Sequence, residues 1–163
     1  MCSSDLGFQL DLISGPTEGA EGSLQPRAEA VPGLLTVIPE LIRPVRPLCD
    51  ARAYRKLTRL FRAWKPEIVH THSGKAGFLG RLAARRAGVP VIIHTIHGPS
   101  FGSFQGPVAN LAFRFAERLA GHLTTHFVVV ANAMRDQYLD AGIGVPWQYT
   151  RVFSGFRIEP FRD

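Results

Sequence analysis

The chain has 163 residues, 45% of them hydrophobic and 20% charged, which suits one globular domain. No apolar run approaches the ~18 residues that span a bilayer, and no basic stretch followed by an apolar one marks a secretory signal. Nineteen Lys and Arg against thirteen Asp and Glu give a net charge of +6, which draws the chain toward phosphates, while Cys2 and Cys49 have neither metal nor redox spacing and leave a reducing cytosol as the default.

Met1 to Leu6 match no usable pattern, so residues 1–7 are set aside as a non-native or disordered start. From Phe8 the run FQLDLIS alternates apolar and polar residues over strand length. The stretch from Gly15 onward is too rich in Gly and Pro for a regular element, and Leu34 to Ile38 is a second strand candidate. Asp50 is placed to cap a helix that runs to about Trp64 and is stopped by Pro66.

The next segments alternate. Glu67 to Thr71 reads as a strand, Lys75 to Arg86 as a helix, and Val91 to Thr95 as a strand. Both strands are short and β-branched, as expected at the buried centre of a parallel sheet. The loop Gly98 to Pro107 leads into an amphipathic helix, Val108 to about Ala120. A strand at Phe127 to Ala131, a helix at Ala133 to Ala141 and a strand at Tyr149 to Phe153 complete the pattern. Strands alternating with helices predict an α/β fold, a doubly wound and mostly parallel sheet with helices on both faces. Residues 8–153 form the domain and 154–163 begin a linker. In such sheets ligands bind beyond the carboxyl ends of the strands, which here means after Thr71, Thr95 and Ala131.

Two constellations fall at those places. His70-Thr71-His72-Ser73-Gly74-Lys75-Ala76-Gly77 runs off a strand into a helix, whose N-terminal N–H groups seat phosphate or sugar oxygens. Small residues there let a ligand approach the backbone, and Lys75 adds a full charge. The Gly-Lys pair lacks the upstream glycine and the following Ser or Thr of a nucleotide-binding P-loop. A glycine-rich turn with a solvated lysine is the plainer reading of the same residues. The second constellation is His94-Thr95-Ile96-His97-Gly98. Its HxxH spacing lacks a nearby third ligand, so no metal is expected. A histidine at this edge is better suited to hydrogen-bond a substrate hydroxyl or phosphate, whereas a histidine satisfied by the core suits His94 better than His97.

The run VHTHSGKAGFLGRLAARRAGVPVIIHTIHG resembles the middle of the N-terminal domain of family 4 glycosyltransferases, which read HTHSSKAG, GRLAA, AGVPV and HTxHG in this order. VANAMRDQYLDAGI and RVFSGFRIEPF resemble two further motifs of that family. The resemblance implies half of a two-domain GT-B fold in which the N-terminal domain binds the acceptor and an absent C-terminal domain binds the nucleotide sugar. It implies sugar transfer with anomeric retention and without a metal or other cofactor, the nucleotide sugar being a co-substrate. It places the family's histidine near the transferred sugar on His97. His72, Ser73, Gly74, Lys75, Gly98 and Ser100 would face the acceptor, and Ser154 and Gly155 would lie at the crossing to the donor domain. The family's opening strand with its glycine-rich loop is absent, so these residues alone are expected to be inactive. Asn132 stands where the family often has Ser, Arg157 replaces an Asp, and Pro99 follows HTxHG where an aromatic is common.

Arg52, Arg55, Arg59 and Arg62 recur at spacings of 3, 4 and 3 and form one helical stripe. It reads either as a solvated face or as a surface for anionic lipid; no nucleic-acid recognition motif accompanies it. The expected setting is cell-envelope or exopolysaccharide synthesis, with a glycan or lipid-linked acceptor, in the cytoplasm or at the inner membrane face. Two alternatives stand beside it: another GT-B enzyme such as a sugar-nucleotide epimerase, and a non-catalytic module binding anionic surfaces.

Overall fold

β-Branched runs closed by Gly and Pro turns form the strands, and amphipathic segments between them form the helices, in two compact units, residues 1–56 and 57–163. The computed structural model describes residues 2–3, 7–16, 22–72, 74–153 and 155. Ser73, Ser154 and residues 156–163, all named above, lie outside the described residues.

In the first unit the FQLDLIS run is not one strand. Its two parts pair with different partners: β2 (Gln9–Leu10) lies antiparallel to β1 (Cys2–Ser3), whereas β3 (Leu12–Ser14) lies parallel to β4 (Leu35–Val37). Asp11 is the break between them. The Gly/Pro-rich stretch also holds a short helix, α1 (Gln25–Glu29), where none was expected. Pro26 falls in its first turn, where a missing N–H costs nothing. The next helix, α2 (Pro47–Trp64), starts three residues before the expected cap. Pro47 begins it, and the Asp50 carboxylate reaches back to accept the Arg46 N–H at 2.9 Å.

The second unit is a four-stranded, wholly parallel sheet in the order β5 (Ile68–His72), β6 (Val91–Ile96), β7 (His126–Val129), β8 (Tyr149–Arg151). Helices α3 (Gly74–Ala87), α4 (Pro107–Gly121) and α5 (Asn132–Asp140) make the crossovers. In a sheet whose strands follow chain order, right-handed crossovers lay successive helices on one face. Here that face carries the core of Ile96, Phe127, Val129, Tyr138, Ala141 and Ile143. The chain is thus α/β with mostly parallel sheets and helices.

Glycine spacing sets how closely α3 lies on the sheet. A Cβ on Gly77 would stand 2.5 Å from His94 Cε1, and one on Gly80 would stand 2.9 Å from Thr71 Cγ2. Neither position has room for a side chain, so these glycines serve helix–sheet packing rather than ligand approach. One turn further on, the fully buried Arg81 donates to Glu117 on α4 at 2.7 Å and to the Gly77 carbonyl at 3.0 Å. Removing one partner of such a buried pair leaves an uncompensated charge, which makes it a fixed rivet between α3 and α4.

β5 is not buried on both faces as its composition suggested. It is an edge strand of its sheet and alternates, with Val69 and Thr71 under α3 and Ile68, His70 and His72 exposed.

Candidate functional site

Strand parity distributes the histidines. In the β5–β6 register Thr71 pairs with His94 and His72 with Thr95. Side chains two apart share a face, so Thr71 and His94 point toward α3, while His70, His72 and Thr95 point to the opposite face.

On the α3 side, His94 is 2% exposed. Thr71 Oγ1 donates to the Ile93 carbonyl at 3.1 Å, so His94 Nδ1, 2.9 Å from the same hydroxyl, is the donor of that pair. Burial first, then the Arg81 charge, push the His94 pKa down to about 2. This ring is neutral at any physiological pH.

On the other face stands a row of three imidazoles. His70 and His72 have ring centroids 4.4 Å apart, and His72 stacks on His97 at 5.3 Å. His70 Nε2 lies 2.7 Å from Thr95 Oγ1, and His72 Nδ1 lies 3.0 Å from His97 Nε2. One nitrogen of that last pair must carry the shared proton and the other accept it, so the two rings hold at most one positive charge. Desolvation, followed by the neighbouring rings, lowers the pKa of both His70 and His72. The lowered pKa values favour the neutral rings of His70 and His72, which donate and accept hydrogen bonds as hydroxyl groups do. Among the described residues no three His, Cys, Asp or Glu side chains are grouped to hold a metal ion.

The surrounding backbone completes the edge. α3 begins at Gly74, immediately beyond β5, with Lys75 half-buried in its first turn. A Cβ on Gly74 would stand 2.9 Å from Ser100 Oγ, so the loop after β6 packs directly over that helix start. The space beside Gly98 is open. Three side chains from α4 and α5, and Gln105 of the loop itself, hold the loop. Asn110 accepts the Gly102 N–H at 2.8 Å, Gln137 donates to the Phe101 carbonyl at 2.8 Å, Gln105 donates to the Ser100 carbonyl at 2.7 Å, and the Tyr138 hydroxyl accepts the Ser100 N–H at 3.5 Å.

The structure thus gathers His72, Gly74 and His97 with Ser100 at one sheet edge. It adds His70 and Thr95, which lay within the two constellations but were not among the residues expected to face substrate, although the i, i+2 spacing of His70 and His72 already put those two on one face. Gly155 is exposed. Arg52, Arg55, Arg59 and Arg62 are all exposed on α2, and Arg62 Nη2 lies 3.5 Å from the Arg86 carbonyl.

Residues 4–153 match the family described as "Glycosyl transferase 4-like domain". Over 129 residues the chain is 33% identical to the UDP-Gal:alpha-D-GlcNAc-diphosphoundecaprenol alpha-1,3-galactosyltransferase of Escherichia coli, covering 76% of this chain and 32% of that protein. Over 100 residues it is 33% identical to the UDP-N-acetylglucosamine--N-acetylmuramyl-(pentapeptide) pyrophosphoryl-undecaprenol N-acetylglucosamine transferase of Sodalis glossinidius (strain morsitans), covering 61% of this chain and 27% of that protein. The chain spans about a third of the length of these curated relatives. Among solved structures, the UDP-GlcNAc 2-epimerase of Methanocaldococcus jannaschii superposes with a TM-score of 0.55 at 15% identity, over 75% of this chain and 32% of that one. At that identity the likeness is one of fold.

Proposed function

Because the chain belongs to the glycosyl transferase 4-like family, we propose that its histidine-lined sheet edge is the acceptor side of a retaining glycosyltransferase. The enzyme would move a sugar from a nucleotide-sugar donor, held by a second domain, to a glycan or lipid-linked acceptor in cell-envelope or exopolysaccharide synthesis. Both curated relatives carry an undecaprenol-linked acceptor in their names, which supports the lipid-linked class.

The observation that carries the reading is the His72–His97 pair at the carboxyl end of β5 and β6. His97 is its reacting-centre member, a hydrogen-bond donor to the transferred sugar or its departing phosphate as charge develops. His72 holds that ring in place. The start of α3 at Gly74, with Lys75 and the Ser100 hydroxyl beside it, receives acceptor hydroxyl or phosphate oxygens. No metal or other cofactor is assigned a role.

Among the described residues no helix is long and apolar enough to cross a membrane. Peripheral attachment to the inner membrane face would use the Arg52, Arg55, Arg59 and Arg62 stripe, at about 1 kcal/mol per basic residue near an anionic surface.

The test supplies the complete protein with a nucleotide sugar and a polyprenyl-diphosphate sugar. A glycosylated lipid whose new linkage keeps the donor's anomeric configuration, read by NMR, is the expected product. Inversion, or epimerisation of the nucleotide sugar without transfer, would contradict the proposal.

A further inference from the structure

Helix α4 is amphipathic in the wrong direction for a helix packed on a sheet. Two of its polar residues point inward: Asn110 accepts the Gly102 N–H, and Glu117, 3% exposed, holds Arg81. Its large apolar residues point outward. Val108, Leu111, Phe115 and Leu119, at spacings of 3, 4 and 4, lie on one face and are 83%, 70%, 68% and 45% exposed. Phe104, on the loop from the histidine row into α4, is exposed as well. Contiguous apolar patches of this kind on a soluble face mark a place where something docks.

We infer that this face of α4 docks on an anionic lipid bilayer, with Leu111 and Phe115 entering the acyl boundary. Charge decides between a bilayer and a second copy of the chain. Arg114 and Arg118 are exposed along one flank of the stripe. The helix's acid, Glu117, is buried and already paired. Two copies meeting through α4 would set arginines against arginines with no carboxylate on the helix to relieve them. Lipid phosphates supply that missing partner, and acyl chains receive the apolar stripe, the pattern of a helix lying in the interface plane. The docking is distinct from the arginine stripe of α2, a helix whose apolar residues Ala53, Leu57 and Phe61 are buried. It would bring the histidine edge close to the surface that presents a lipid-linked acceptor; that consequence rests on the proposed function, whereas the docking does not.

The experiment sediments the full chain with phosphatidylglycerol–phosphatidylcholine vesicles at low and high salt. The wild type should bind, and Leu111→Gln with Phe115→Gln should weaken binding about tenfold or more at both salts, with an unchanged melting midpoint. As a second reading, Phe115→Trp should gain blue-shifted emission on vesicles, quenched by brominated acyl chains, beyond the background of Trp64 and Trp147. Binding that the Leu111 and Phe115 changes leave intact, binding abolished by salt alone, no binding at all, or a dimer that the double variant dissociates would each overturn the inference. None of these readouts needs turnover, so a failed transfer assay and a failed docking are separate results.

Discussion

The two faces of strands β5 and β6 use the same residue types for opposite ends. On the closed face His94 and Thr71 are sealed beneath Gly77 and Gly80 of α3, with every position fixed by contact. On the other face His70 lies beside His72, which stacks on His97; hydrogen bonds join His72 to His97 and His70 to Thr95, and the three rings are exposed. Three positions separate His94 from His97, yet one is a core ring held neutral by burial and the other stands at an open sheet edge. Role here follows strand parity and the helix overhead, not residue identity.

Crowding the closed face should produce the largest loss. Gly77→Val drives a branched side chain into the His94 ring and should cost about 3 kcal/mol, within the range for overpacked cores, read as a lowered urea midpoint. A variant as stable as the parent would mean that α3 does not rest on His94.

Acid should separate the faces next. The His94 pKa lies below its unfolded value of about 6.5, so this ring takes up its proton only on unfolding. Stability therefore rises with pH between about 2 and 6.5, and acidifying from pH 7 to pH 5 should cost about 2 kcal/mol from His94 alone. His70 and His72 shift in the same direction and add to the slope. Thermal melts at pH 5 and pH 7 of the parent and His94→Gln check this. The variant should lose most of the pH dependence; an unchanged slope would place the titrating group elsewhere.

The sequence made the parallel α/β order legible because strand and helix periodicities alternate cleanly from Glu67 onward. The four strand positions of the second unit shifted by only a residue or two at their ends. It was less legible before that point, where pairing is long-range: nothing within FQLDLIS tells that its halves bond to different strands. The site divided in the same way. Gly74, Lys75, His97 and Gly98 were readable as the residues at strand ends. Parity would also have found His70, since it shares a face with His72. The loop anchors Asn110, Gln137 and Tyr138 were out of reach, because each acts across many intervening residues through one hydrogen bond. Gly77 was seen but misread as room for a ligand, since only the fold shows that its Cβ would strike His94.

The contrast between His97 and His94 is tested most directly in the complete protein, as turnover against melting temperature. His97→Ala removes an edge ring and should change stability by less than about 0.5 kcal/mol. It should lower kcat about 10²–10³-fold with little change in acceptor affinity, as for loss of a donor that acts in the transition state. His94→Ala should instead lower the melting temperature, leaving a cavity under Gly77 and the Thr71 hydroxyl without its donor. A His97→Ala protein that is merely unstable or fully active, beside a folded His94→Ala protein without turnover, would contradict it.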